Sequence, residues 1–238
     1  RAAALDLLRR TDMHTFKTFD IVGPRMIGPS SSHTAGAARL AHIAWHIAGE
    51  DVAKVELTLY GSFAETGRGH GTDKALLAGV VGLEPDDERL RYSMLLAQEA
   101  GVEYEIRYVA EAPEDYDYAN MARIRIEGHD GTITDVLGAS IGGGNIVITE
   151  INAMQLSFTG EYPTLIVHHN DVRGTISQVT AVLAEACINV AGMRVFRQSK
   201  GQEAYMVIET DTPVDAAVQA AVLDCNENVL SVRAITKH

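Results

Sequence analysis

Apolar residues fall into two rhythms along this chain. Between Thr34 and Ala48, Leu40, Ile43, Ala44 and Ile47 share one helical stripe, and Gly49 supplies a natural stop. Arg39, His42 and His46 fall on the opposite side, which predicts a solvated face. KVELTLY then alternates, with Val55, Leu57 and Leu59 on one side, as a half-buried strand does. GSFAETGRGHGTD follows, with four glycines in thirteen residues, and reads as a loop before a helix beginning near Asp73. DERLRYSMLLAQEAG predicts another helix, with Leu90, Met94 and Ala97 on one face, and VEYEIRYV another strand. Beyond the acidic, aromatic, loop-like EAPEDYDYAN, two strands meet at an Asp130–Gly131 turn, and GGGN leads into a further strand, IVITEI.

Around Ser157–Pro163 turn residues cluster and a proline opens a new strand, which marks a boundary. The last 76 residues then run strand, helix, strand, strand, helix, strand. That order is the split βαβ plan, in which two helices cover one face of an antiparallel sheet. The predicted class is α+β: an N-terminal extension (1–12), a mixed αβ domain (13–158) and a ferredoxin-like βαββαβ domain (159–238).

Composition narrows the function. A formal charge of −12 over 238 residues leaves no basic footprint for a phosphate backbone, so nucleic acid is not an expected partner. No apolar run approaches the roughly 20 residues that span a bilayer, and RAAALDLLRR is too short and too charged for a secretory core. Two cysteines, Cys187 and Cys225, build no disulfide framework and suit a reducing cytoplasm.

The chemistry concentrates at GPSSSHT. Ser30, Ser31 and Ser32 precede a helix whose first N–H groups lack partners, and one serine suffices as a cap. The remaining hydroxyls, with Thr34, stand beside donors suited to a carboxylate or phosphate. His33 can exchange a proton near neutral pH. A second group contains Ser62, His70 between two glycines, and Thr72 or Asp73 as the next helix cap. Gly142, Gly143, Gly144 and Asn145 form a third. Each is weak singly, but three such loops in one domain favour a shared polar pocket. His42 and His46 have the i, i+4 spacing of a zinc pair without the accompanying glutamate, and no metal site is expected in this chain. Two cysteines are also too few for an iron–sulfur cluster. In the C-terminal domain, Asn170 and Asp171 offer acceptors for an amino group. The N–H groups around Gly174, Thr175 and Ile176 offer donors for a carboxylate, with Asn189 expected within reach; the other reading is a strand–helix turn capped by Thr175.

FDIVGPRMIGPSSSHTAGAARLA, YGSFAETGRGHGTD and SIGGGNIVITEIN, in that order, resemble the beta chain of the bacterial two-subunit, iron–sulfur-dependent L-serine dehydratases. The resemblance runs from about Phe19 to the C-terminus. It implies an allosteric substrate-binding-type domain, also found in some phosphoglycerate dehydrogenases, followed by an ACT domain, a small-molecule-sensing module. It implies conversion of L-serine to pyruvate and ammonia together with an alpha chain carrying a [4Fe-4S] cluster. In that family the cluster acts as a Lewis acid on the substrate hydroxyl while a protein base removes the α-proton. Carried over by motif, His33 or His70 transfers the proton. Ser30, Ser31, Ser32, Thr34, Ser62, Asp73, Gly142, Gly143, Gly144 and Asn145 line the substrate site. The resemblance also implies pairing of copies through ACT domains, and, because the chain ends just after that module, that it is one half of an enzyme. Two alternatives carry no lyase activity. One is a free-standing serine sensor; the other, a hydrolase using His33 with a serine, lacks a G-x-S-x-G elbow.

Overall fold

The computed structural model describes residues 30–236, so the predicted extension at 1–12 and the segment as far as residue 29 lie outside it. A six-residue π-helical turn, Ser31–Gly36, leads directly into α1, Ala37–Ala48. The elements that follow are β1 (Lys54–Gly61), α2 (Ser62–His70), α3 (Thr72–Val80), a 3₁₀ turn (Glu88–Tyr92), α4 (Ser93–Glu99) and β2 (Glu103–Val109). Four more strands come next: β3 (Asn120–Glu127), β4 (Ile133–Gly142), β5 (Asn145–Ile151) and β6 (Met154–Phe158). The six strands order as β2-β1-β3-β4-β5-β6, with β1 and β2 parallel and the other neighbours antiparallel.

Two expectations fail in this half. The glycine-rich stretch after β1 is helix α2 rather than loop. Its interior glycines each cost about 1 kcal/mol of helix propensity. Tertiary packing outweighs that cost, because Phe63 is fully buried and Gly67 lies against Leu59 and Thr72, where a Cβ would meet Leu59 Cδ2 at 3.2 Å. The far side of α1 is not solvated either. His42 is only 3% exposed, because α3 covers it. The two helices touch backbone to backbone, and a Cβ on Gly79 would sit 2.3 Å from the Ala38 carbonyl and 2.6 Å from the His42 amide nitrogen.

The remaining elements are β7 (Thr164–Asn170), α5 (Thr175–Glu185), β8 (Val190–Arg197), β9 (Glu203–Thr210), α6 (Ala216–Asp224) and β10 (Val229–Ile235). They form an antiparallel sheet ordered β10-β7-β9-β8. One face of it, with Leu165, Val167, Met206 and Ile208, packs on Val179 and Leu183 of α5 and Val222 of α6. The other, with Ile166, Tyr205, Val207 and Ile235, joins the core of the first domain. Burial on both faces explains why β7 and β9 read as continuous apolar runs. Edge strand β8 is the exception, and leaves Met193 and Val195 about 40% and 38% exposed. No helix among the described residues is long and apolar enough to cross a membrane.

Candidate functional site

One serine does cap the helix. Ser30 has extended backbone, its hydroxyl accepts from the His33 amide at 3.1 Å, and its carbonyl accepts from the Thr34 amide. Ser31 and Ser32 are therefore left over, half-buried on the first turn and without a side-chain hydrogen bond in the structure. That turn is π-helical, a wider winding that is frequent at functional sites. Gly36 permits it to lie against β4, where a Cβ would fall 2.1 Å from Ser140 Oγ.

The winding aims His33 at the start of α2. Its Nε2 lies 3.1 Å from Ser62 Oγ, its Nδ1 3.4 Å from Ser30 Oγ, and its ring centroid 5.0 Å from that of His70. Phe63 meets the imidazole edge-on at 5.3 Å. Partial burial, reinforced by the neighbouring His70, holds the His33 pKa below its usual 6.5, while the Ser62 contact opposes the shift. A neutral imidazole is thus favoured at neutral pH, and a neutral imidazole accepts protons. The Thr34 hydroxyl points back to the His70 carbonyl at 3.5 Å, the limit of a hydrogen bond.

Two of the three predicted stretches meet here directly, and the third adjoins them. Gly142, Gly143 and Gly144 all have positive φ and close the β4–β5 hairpin with Asn145. The hairpin is tied to α1 by Arg39, whose guanidinium donates to the Gly144 carbonyl at 3.4 Å and to the Gly160 carbonyl at 3.0 Å. Arg39 was expected on a solvated face and instead bridges the glycine turn and the interdomain connection. Asp73 is engaged elsewhere, accepting from the Tyr108 hydroxyl at 3.0 Å and the Lys74 amide at 2.8 Å. It does not cap α3, which starts from Gly71 without a side-chain cap.

Sequence reasoning missed the buried Ser140 hydroxyl, which has no hydrogen-bond partner; Thr72, expected as a possible cap, is buried and unpartnered too. The small residues Gly138, Ser140 and Gly142 alternate along one face of β4, a signal of close approach that was available in the sequence.

The predicted effector residues divide. Asp171 pairs with Arg197 at 2.6 Å and accepts from the Gly201 amide, which holds its carboxyl below the usual carboxylate range. Thr175 is buried as the first residue of α5; Gly174, in the left-handed region at φ 94°, takes the cap position, and Ile176 is partly exposed beside it. Asn189 corrects the expectation. It precedes β8 at the Thr210 end of β9 and donates to Asp211, whereas Asn170 pairs with Glu203 at the other end. Seven residue steps of strand, about 24 Å, separate those ends.

Of the two histidines at i, i+4 spacing, His42 packs on Trp45 and approaches Glu84 at 3.6 Å, while His46 contacts Glu50 at 2.8 Å. Among the described residues no three His, Cys, Asp or Glu side chains converge as a metal site requires. Cys187 is exposed and Cys225 half-buried. These side chains do not fit an iron–sulfur cluster, which takes about four cysteine ligands.

Residues 15–151 match the family described as serine dehydratase beta chain. The chain belongs to that family. Residues 163–226 match the ACT domain. A probable L-serine dehydratase beta chain of Bacillus subtilis is 44% identical over 197 residues, covering 83% of this chain and 88% of that one. The L-serine dehydratase beta chain of Peptoniphilus asaccharolyticus is 37% identical, covering 89% and 94%. A D-3-phosphoglycerate dehydrogenase of Methanocaldococcus jannaschii is 28% identical across 76% of this chain, which spans only 34% of that enzyme. The family assignment thus rests on both halves of the fold.

Proposed function

We propose that this chain is the beta subunit of an L-serine ammonia-lyase, working in the cytoplasm with an alpha chain that carries a [4Fe-4S] cluster, and inactive without it. The observation that carries the reading is His33, a neutral imidazole held between Ser30 and Ser62 at a helix entrance with two unused serines. In this scheme the N–H groups and hydroxyls of Ser31 and Ser32 bind the carboxylate of L-serine. Its α-carbon then faces His33, whose basic nitrogen removes the α-proton. The Ser62 and Ser30 hydroxyls fix the ring orientation, and a site lacking rotational freedom lowers the barrier to transfer. The hydroxyl then departs, the proton held by His33 completing the water, and leaves an enamine that tautomerises to an imine. Hydrolysis of the imine consumes one water and releases pyruvate and ammonia. The glycine turn, pinned by Arg39, brings backbone without side-chain bulk to the edge of the site. The exposed strand β8 is the surface on which ACT domains of two copies would pair.

Expression with and without the alpha partner, anaerobically, followed by pyruvate release from L-serine, tests this reading. Activity in the pair alone is expected. Inactivity of both, with calorimetric binding of L-serine to this chain, would favour a serine sensor instead. The long match to part of a phosphoglycerate dehydrogenase is the observation behind that second reading.

A further inference from the structure

Strand β1 ends at Gly61 and helix α2 begins at Ser62, with no residue between them. The chain therefore turns from strand to helix at a single position. Gly61 makes that turn with φ 54° and ψ −130°, outside the regions open to a residue with a Cβ. Space forbids a side chain as well. A Cβ on Gly61 would lie 2.7 Å from the Ala119 carbonyl oxygen, a backbone atom that cannot swing aside. That oxygen is in use, since it accepts from the Ser62 amide at 2.8 Å. Asn120, the next residue, pairs with Gly61 in the β1–β3 register.

The elbow fixes where Ser62 stands. Its amide is held by Ala119, its carbonyl accepts from the Thr66 hydroxyl at 2.8 Å, and the next side chain, Phe63, is fully buried. No side chain caps α2, so the Ser62 hydroxyl is not drawn into the helix end. It meets His33 Nε2 at 3.1 Å, closer than the 3.4 Å from Ser30 Oγ to Nδ1. Phe63 supplies the edge-on contact to the same ring. The Ser62 main chain also acts on the imidazole, holding its pKa up against burial and His70. Hydroxyl, main chain and phenyl ring thus all reach His33 from the two residues that follow Gly61.

We propose that Gly61 is a positioning residue for the α-proton transfer: its turn against Ala119 delivers Ser62 and Phe63 to His33 and so sets the angle at which the imidazole meets the substrate. The chemistry rests on the lyase reading, whereas the placement of the ring is a property of this chain by itself. A side chain at position 61 must push β1 and β3 apart or rotate the start of α2, and either movement carries Ser62 away from the ring. The base then keeps its identity and loses its aim. That costs rate rather than binding, because the substrate carboxylate sits on Ser31 and Ser32.

Titration of the His33 ring by nuclear magnetic resonance in the full chain, parent against Gly61→Ala, tests the proposal. The Ser62 contact raises the His33 pKa, so its loss moves the midpoint down, by about 0.4–1 pH unit, the worth of one hydrogen bond. Gly101→Ala is the matched control. Gly101 also has positive φ, at 73°, and lies just before β2, whose first residue pairs with Lys54 at the other end of β1. That exchange lowers the melting temperature and leaves His33 unmoved. Ala119→Gly loosens the same carbonyl without a clash, and moves His33 downward by a smaller step. In the reconstituted pair Gly61→Ala lowers kcat about 10–100-fold, with KM within about twofold of the parent. A midpoint unchanged or raised in the folded Gly61→Ala chain overturns the proposal, as does an equal displacement in Gly101→Ala or a loss expressed in KM with kcat retained. Where Gly61→Ala does not fold, an unmoved midpoint in Ala119→Gly overturns it. The titration needs no partner chain, so a pair without lyase activity would sink the lyase reading and leave the placement of the ring standing or falling by itself.

Discussion

The helix entrance at Ser30–Thr34 and the strand–helix turn at Asn170–Ile176 look alike as sequence, each a small polar cluster ahead of a helix. In the folded chain they diverge. At the first, polar groups from two distant stretches meet beside a third, and the buried hydroxyls of Ser140 and Thr72 remain without partners. At the second, Asp171 is spent on Arg197 and Gly201, and Asn189 is carried off to Asp211. An unpaired buried hydroxyl does not by itself separate the two, since Thr175 at the second also lacks a partner; what separates them is that expected site residues from distant stretches converge only at the first.

His33→Ala in the reconstituted pair should widen this contrast most, lowering kcat by about 10²–10⁴-fold, the usual share of a general base, with the far-ultraviolet spectrum unchanged. Full activity would remove His33 from proton transfer. Ser62→Ala deletes one hydrogen bond to the imidazole and should lower kcat about 3–10-fold, matching the roughly 0.5–1.5 kcal/mol of such a bond. A loss as large as that of His33→Ala would give Ser62 a direct chemical role. The pH profile offers a finer test. Because burial and His70 lower the His33 pKa, the base stays deprotonated further into acid, and the acidic limb of kcat/KM lies below 6.5. His70→Asn removes the like charge and should move that limb up towards 6.5; no movement would mean the limb belongs to another group. Asp171→Asn closes the series with the smallest effect, a melting temperature within about 2 °C of the parent and unchanged activity, as expected for an exposed ion pair.

Much of this was readable beforehand, and the misses have physical causes. Alternating Val55, Leu57 and Leu59, and the continuous apolar runs of β7 and β9, announce strands because burial enforces a period or fills both faces. The run of serines before His33 announces a site because one of them is enough to cap the helix. Helix α2 was hidden, since Gly67 and Gly69 argue locally for a loop and only contact with β1 and the buried Phe63 overrules them. His42 and Arg39 were misplaced for a similar reason: helical periodicity identifies one apolar face and says nothing of a second helix laid across the other. Asn189 was misjudged because adjacency along a sheet depends on which end of a strand a residue occupies.

The C-terminal sheet shares Ile166, Tyr205, Val207 and Ile235 with the first domain's core. A module built this way is poor material for gene shuffling. Cut free, it carries an open apolar wound, and its neighbour keeps a matching one, so inheritance of the two halves is coupled unless several side chains change together.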